Sequence, residues 1–362
     1  MIKDGSGLRL EEHGDGWRLA GPDASRFVLV DEYLAHLGDR NYSPKTVRAY
    51  GFDLLAFCRW LAAEDIALET VTTDVLLGFL RACREARLPG RPGPNVVTLA
   101  GRRLDQYAAT TINRRLAAIS GLFAFRSMRD PDLANPAPKG KEARWQAPGE
   151  RTGILAHTTR RPRKRSALRL REPRRLPRPL SQAEAADLLA SFHTWRDKAI
   201  AGLMLYCGLR SAEVLGVNVT DVDIGGRWIT VVGKGDRERK VPLDGDVASV
   251  IQIYLLAERP DTDSDRLFIV AKGPSRGRAL SAAGLRTIFR YHRQVSGIGG
   301  GHPHALRHTF GTALAEAGVD LSVMQALLGH AHVDTTATYI HLAPTHVKAE
   351  FDAARDRIRA RS

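Results

Sequence analysis

His304-Ala305-Leu306-Arg307-His308, followed by Leu328-Gly329-His330 and, nine residues beyond that histidine, by Tyr339, is the stretch that decides how the chain is read. Its first part predicts a helix from Pro303 to Ala317, closed by Gly318. Leu306, Phe310, Ala313 and Ala317 fall on one face of that helix and suit a core. His304, Arg307, His308 and Gly311 recur at three and four on another. An imidazole and a guanidinium one turn apart, beside a small glycine, form a surface that an anion can approach. Arginine suits such a surface because its planar fork gives two parallel hydrogen bonds to phosphate oxygens at any working pH.

Upstream, Cys207-Gly208-Leu209-Arg210-Ser211-Ala212-Glu213 places a second arginine after a glycine that ends the preceding helix. Two arginines can clamp one phosphate and stabilise the added charge of a pentacoordinate phosphorus. Glu213, three residues on, is placed to hold a guanidinium by an ion pair. Taken alone, Gly-Leu-Arg is a weak signal. Trp228–Val232 and Arg239–Leu243 read as strands around Gly233-Lys234-Gly235-Asp236, a hairpin that puts Lys234 at its turn. A lysine there can protonate a departing alkoxide, although Gly-Lys-Gly is also an ordinary turn, and its spacing does not fit a P-loop. Most tyrosines pack; Tyr339 reads as a nucleophile only through its company. A metal site built on His302, His304, His308, His330, His332 and His341 is disfavoured, since Arg307 next to His308 would repel a cation.

Farther out, Ser43-Pro44 is an N-cap with a first-turn proline, opening a helix whose apolar Val47, Tyr50, Leu54, Phe57 and Leu61 recur at three and four. Segments around Val28–Leu37, Asp74–Arg87 and Thr111–Arg126 share that period. Arg114 and Arg115 on the last of these face either phosphate or plain solvent. Leu88–Pro94 reads as a surface loop. Ser181-Gln182-Ala183-Glu184 is a capping box that opens a second domain, and helices dominate again from Ser281.

With 362 residues and 43% hydrophobic content, two domains are expected. The longest nearly apolar run, Ala199–Leu209, is too short to span a bilayer, and Met1-Ile2-Lys3-Asp4 does not open a signal peptide; a cytoplasmic protein without membrane contact is expected. Cys58, Cys83 and Cys207 read as buried reduced thiols. The formal charge of +14 is uneven: residues 139–178 hold fourteen Lys or Arg against three Glu, a net +11. Such a block, with Pro148, Pro162, Pro173 and Pro177 inside it, resists helix and packing and attracts a polyanion in a salt-dependent way. The plainer reading is a solvated spacer.

Arg210, Lys234, His304, Arg307, His330 and Tyr339, in this order and spacing, make the sequence resemble the tyrosine recombinase (phage integrase) family over about residues 24–345. The resemblance implies a mainly α chain with a small antiparallel β-sheet in its C-terminal domain, built as a two-domain DNA clamp. Residues 1–23, where Trp17 and Leu19 alternate with charged or small residues, would be a short strand pair or an arm of unassigned role, 24–140 the helical core-binding SAM-like domain opened by Ser43–Tyr50, 141–178 a basic linker, 179–345 the catalytic domain and 346–362 a helical tail. It also implies that Arg210 and Arg307 bind the scissile phosphate, Lys234 protonates the 5′-hydroxyl leaving group and His304 assists proton transfer. His330 would hydrogen-bond a phosphate oxygen, Tyr339 attack to form a 3′-phosphotyrosyl link, and Glu213 support the arginines. Arg48, Arg114, Arg115, Arg163, Lys164 and Arg165 are the expected DNA contacts. No metal or cofactor is expected. The partners would be double-stranded DNA with specific recombination sites, further copies of the chain in a tetrameric synapse, and accessory DNA-bending proteins. The chain departs from the family in its long basic linker, in Ala212 where Ser is frequent, and in Arg237 where a lysine is frequent. A type IB topoisomerase-like nicking and rejoining enzyme, and a non-catalytic DNA-binding accessory protein, are the competing readings.

Overall fold

The computed structural model describes residues 7–14, 16–88, 105–137, 168–172, 178–233 and 237–329. The chain divides into two compact units, Met1–Pro173 and Arg174–Ser362.

The first unit opens with a hairpin of β1 (Arg9–His13) and β2 (Gly16–Ala20), paired antiparallel with Leu10 opposite Leu19. Four helices follow: α1 (Val28–Asp39), α2 (Pro44–Ala63), α3 (Thr73–Glu85) and α4 (Ala109–Arg129). Ser43 accepts a hydrogen bond from the Thr46 amide and Pro44 sits in the first turn, so α2 begins where its sequence expects. Its apolar stripe of Val47, Leu54, Phe57 and Leu61 is buried, together with residues of α1, α3 and α4. The N-terminal segment thus forms the short strand pair that is one of its two sequence readings, and it is part of this core: Leu8 and Leu19 are buried, the Leu19 amide donates to Asp31 Oδ1 at 2.8 Å, and Arg59 holds the Leu8 carbonyl.

The segment expected as a bare basic connector is also docked in part. Leu168 and Leu170 pack against the core of the first unit. The Asn113 amide satisfies both backbone groups of Leu170, donating to its carbonyl at 3.0 Å and accepting from its N–H at 2.8 Å. Two leucines among arginines suffice to anchor these residues. The block's residues 139–167 and 173–177 and the Pro/Gly-rich loop lie outside the described residues, apart from Leu88, whose amide bonds the Asp105 carbonyl.

In the second unit α5 (Gln182–Ser191) starts at the Ser181/Glu184 capping box. Then come α6 (Trp195–Leu205) and α7 (Ser211–Gly216), and a sheet of β3 (Val222–Asp223), β4 (Trp228–Val232) and β5 (Glu238–Pro242), antiparallel in that order. Next follow α8 (Gly245–Ile253), α9 (Ala282–Ser296), α10 (Pro303–Glu316) and α11 (Leu321–Leu328). The apolar run of α6 is buried along Ala199–Leu205, packed between α8 and α10. Among the described residues no helix is long and apolar enough to cross a membrane. Cys58, Cys83 and Cys207 are buried free thiols.

Because Leu168 and Leu170 belong to a core, excising the whole basic block would also remove packing. Replacing Arg160, Arg161, Arg163, Lys164 and Arg165 with Gln is the cleaner perturbation. It is expected to lower the slope of log affinity for duplex DNA against log salt by about 0.9 per residue that neutralises a phosphate. An unchanged slope would leave the block as spacer.

Candidate functional site

Three arginines from three elements meet one carboxylate in the second unit. Glu213, in the first turn of α7, is 3% exposed. Its Oε2 accepts from the Arg210 amide at 2.8 Å and its Oε1 from Arg210 Nη1 at 2.7 Å, so the residue at the helix entrance is bound through both backbone and side chain. Arg239, on β5, adds a two-pronged contact, Nη1 to Oε1 at 2.8 Å and Nη2 to Oε2 at 3.0 Å. Arg307 on α10 brings Nη1 to 3.8 Å from Oε2. Burial alone would raise the Glu213 pKa, but the hydrogen bonds from Arg239 and Arg210 outweigh it and hold the carboxyl below its ordinary value of 4.5.

The same three guanidiniums grip the end of α11. Arg239 Nε donates to the Leu327 carbonyl at 3.2 Å, Arg307 Nη2 to the Leu328 carbonyl, and Arg210 Nη2 to the Gly329 carbonyl at 3.0 Å. The last carbonyls of a helix have no partner within it and carry its negative dipole end, so cations are favoured there. Gly329 closes α11 in the left-handed region at φ +58°. Arg307 Nη1 also donates to the Gly208 carbonyl. Gly208 is required at this point: its φ is +66°, and a Cβ there would lie 2.3 Å from the Phe310 ring. The α6–α7 turn thus comes close enough to α10 to put Arg210 beside Arg307.

His304 lies one turn before Arg307, exposed, with its ring centroid 4.5 Å from that of His308 in an edge-on arrangement. Burial, then the charges of Arg307, His302 and Arg210, push the His304 pKa below 6.5. The same kinds of influence push His308 down to about 4. Both rings are therefore neutral at pH 7, able to accept a proton or a hydrogen bond. His302 is occupied in capping α10, its Nδ1 accepting from the Ala305 amide at 3.0 Å. Among the described residues no three His, Cys, Asp or Glu side chains come together as a metal ion would require.

The structure thus brings together Arg210, Glu213, His304 and Arg307; Lys234, His330 and Tyr339 lie outside the described residues. The faces of α10 differ from expectation. Arg307 is buried at 2% exposure while Ala313 and Ala317 are exposed, because α10 is flanked by α6 and by α11 and is covered on more than one stripe. Arg239 was not foreseen as a site residue. Strand alternation puts it on the same face as buried Val241, and an inward-facing arginine demands a buried carboxylate.

Among the expected DNA contacts, Arg48 is exposed, its guanidinium 5.4 Å from the Trp17 ring and 4.8 Å from that of Phe52. Arg114 pairs with buried Asp53 at 2.7 and 3.0 Å while half its side chain faces solvent. Arg115 does not face outward: it is 7% exposed, 3.5 Å from Cys83 Sγ and over the Tyr107 ring at 4.0 Å. Its neighbours at three and four residues, Ile112, Ala118 and Ile119, are all buried, so its position on α4 is an interior one. Arg163, Lys164 and Arg165 lie outside the described residues.

Glu213 loses its proton more readily in the folded chain than in the unfolded one, so its contribution to stability is full above 4.5 and is lost as pH falls through its lower folded value. Glu213→Gln is expected to lower Tm at neutral pH and to flatten the fall of Tm below pH 4.5. An acid limb as steep as that of the unaltered protein would contradict this.

Two family models match the chain: the phage integrase family over residues 178–346 and the phage integrase N-terminal SAM-like domain over 30–91. The tyrosine recombinase XerC of Roseiflexus castenholzii is 31% identical over 332 residues, covering 86% of this chain and 88% of the relative. That of Mycobacterium tuberculosis (strain CDC 1551 / Oshkosh) is 32% identical over 336 residues, covering 90% and 97%. Among solved structures, the Tn1549 transposon integrase in complex with transposon right end DNA aligns with a TM-score of 0.61 at 18% identity, over 90% of this chain and 98% of that one. The XerH site-specific recombinase bound to its palindromic difH substrate aligns at 0.59 with 20% identity, over 91% and 88%. The structural likenesses establish the fold, and the sequence relatives with the two family models establish the lineage: the chain belongs to the phage integrase family, the tyrosine recombinases, whose members break and rejoin DNA strands.

Proposed function

We propose that this chain is a site-specific recombinase in which Tyr339 attacks a phosphodiester of duplex DNA, forming a 3′-phosphotyrosyl link and releasing a 5′-hydroxyl. The observation that carries this reading is the pair Arg210 and Arg307, held by one buried carboxylate with His304 a turn away from Arg307. Two guanidiniums fixed before substrate arrives stabilise charge that develops on the phosphoryl oxygens without reorganising at the moment of reaction. The P–O bond to the 5′-oxygen breaks as the bond to the phenolic oxygen forms. Lys234 supplies the proton that the 5′-oxygen takes up, and neutral His304 assists removal of the phenolic proton. His330, which follows Gly329 in sequence, donates to a phosphate oxygen. The phosphotyrosyl bond retains the energy of the phosphodiester, so rejoining needs no nucleotide cofactor.

Residues 24–140 and 179–345 then act as the two DNA-binding parts, with Arg48, Arg114 and the basic block including Arg163, Lys164 and Arg165 as phosphate contacts. Strand exchange through a Holliday junction calls for two sites and four protomers, with residues 346–362 docking on a neighbouring copy and DNA-bending proteins assisting assembly. The place of action is the cytoplasm.

Lys234→Ala is expected to slow cleavage of ordinary DNA by about 100-fold or more. A substrate with sulfur as the 5′-bridging atom needs no proton on departure and should restore most of the rate. Failure of that rescue would remove the general-acid role.

A further inference from the structure

Arg239 is the one arginine of the cluster for which the proposed chemistry has no use, yet it makes the most symmetrical contact with Glu213. Both Nη atoms bind the two carboxylate oxygens and Nε binds the Leu327 carbonyl, so all three nitrogens of one planar group are engaged. Its side chain is 15% exposed, and its strand partner Val231 is buried. It therefore presents little surface to a DNA backbone and faces inward. Its fork also bears directly on Gly329: a Cβ there would lie 2.7 Å from Nη1 and 2.8 Å from Cζ. The closure of α11 is thus seated against this guanidinium.

We propose that Arg239 is a positioning residue of this site, joining the Glu213 carboxylate to the C-terminal end of α11 so that Arg210 and Arg307 are held at one spacing for phosphate; this rests on the recombinase reading. Each carboxylate oxygen of Glu213 has two functions. Oε1 accepts from both Arg210 and Arg239, and Oε2 accepts from the Arg210 backbone and from Arg239, with Arg307 near it. Among the described residues no other hydrogen bond ties Glu213 to the sheet, so without Arg239 the carboxylate is free to turn about its last bonds toward either remaining arginine. Lysine cannot substitute, because a single ammonium cannot span both oxygens and the Leu327 carbonyl.

The test is single-turnover cleavage by the full-length chain of a nicked duplex that carries the sequence recovered from its own covalent adducts, with DNA affinity measured in parallel. Arg239→Lys is expected to reduce the cleavage rate constant at saturating DNA on the order of 100-fold, as for a reacting group displaced by about an ångström. The dissociation constant should change by less than about threefold, and the fraction of enzyme that eventually cleaves should be unchanged. A merely structural loss would instead lower that final fraction and leave the rate constant intact. An unaltered rate constant, or an effect confined to DNA affinity, overturns the proposal. If Arg239→Lys shows no cooperative thermal transition, Gly329→Ala decides, because its methyl group pushes on the guanidinium with Arg239 and Glu213 both retained: the same slowing supports the proposal and an unaltered rate constant overturns it. Absence of any adduct with the unaltered protein overturns the recombinase reading itself, and this proposal with it.

Discussion

A carboxylate removed from water costs several kcal/mol unless its charge is met, and Glu213 is met by more than it needs. Three guanidiniums, those of Arg210, Arg239 and Arg307, stand around one negative charge. The Leu327, Leu328 and Gly329 carbonyls at the end of α11 take up part of the excess as hydrogen-bond acceptors, but they bring no full charge. The cluster keeps a surplus of two positive charges, and Arg210, with about a third of its side chain exposed, is the member that reaches the surface. Under the proposed chemistry that surplus would attract a phosphodiester and match still better the doubly charged phosphorane. The anchoring carboxylate and the helix end thus act together: the first fixes where the guanidiniums are, and the second fixes where the chain leading to His330 begins.

Several features that place the site are local and were readable in the sequence. Ser43-Pro44, the Ser181/Glu184 box and the Gly318 ending depend on contacts within a turn, so residue type and spacing suffice. The hairpin of β4 and β5 followed from two β-rich runs around glycines. Pairing across the fold was less visible. Arg114 and Arg115 are adjacent and chemically alike, but only the first reaches solvent, and the difference lies in which elements cover α4. Ala313 and Ala317 looked like core because alanine is apolar. It is also small enough to be exposed at little cost, and α10 is covered elsewhere by α6 and α11. Arg239 was concealed by its neighbours Glu238 and Lys240, which give the strand a charged, solvent-facing look.

The N-terminal unit shows the same division between local signal and tertiary context. The hairpin β1–β2 has little apolar content of its own, yet Leu8 and Leu19 sit in the unit's core and Trp17 contributes to the aromatic surface on which Arg48 rests. A cation resting against two rings has less freedom to lose on binding phosphate than one on a mobile stem. The +11 block of residues 139–178, by contrast, concentrates charge where sequence gives few apolar anchors besides Leu168 and Leu170. In the proposed function the first would make direct phosphate contact and the charge of the second would add long-range attraction that salt screens.

Whether the arginine cluster serves covalent phosphoryl transfer to a tyrosine is decided by incubating the protein with labelled DNA fragments flanking its own gene, denaturing, isolating covalent protein–DNA adducts, and sequencing both the DNA end and the modified peptide. The expected product is a 3′-phosphate joined to Tyr339 at a defined DNA position. An adduct on another residue, a 5′-phosphate linkage, or no adduct under conditions where the protein binds the same DNA would contradict it.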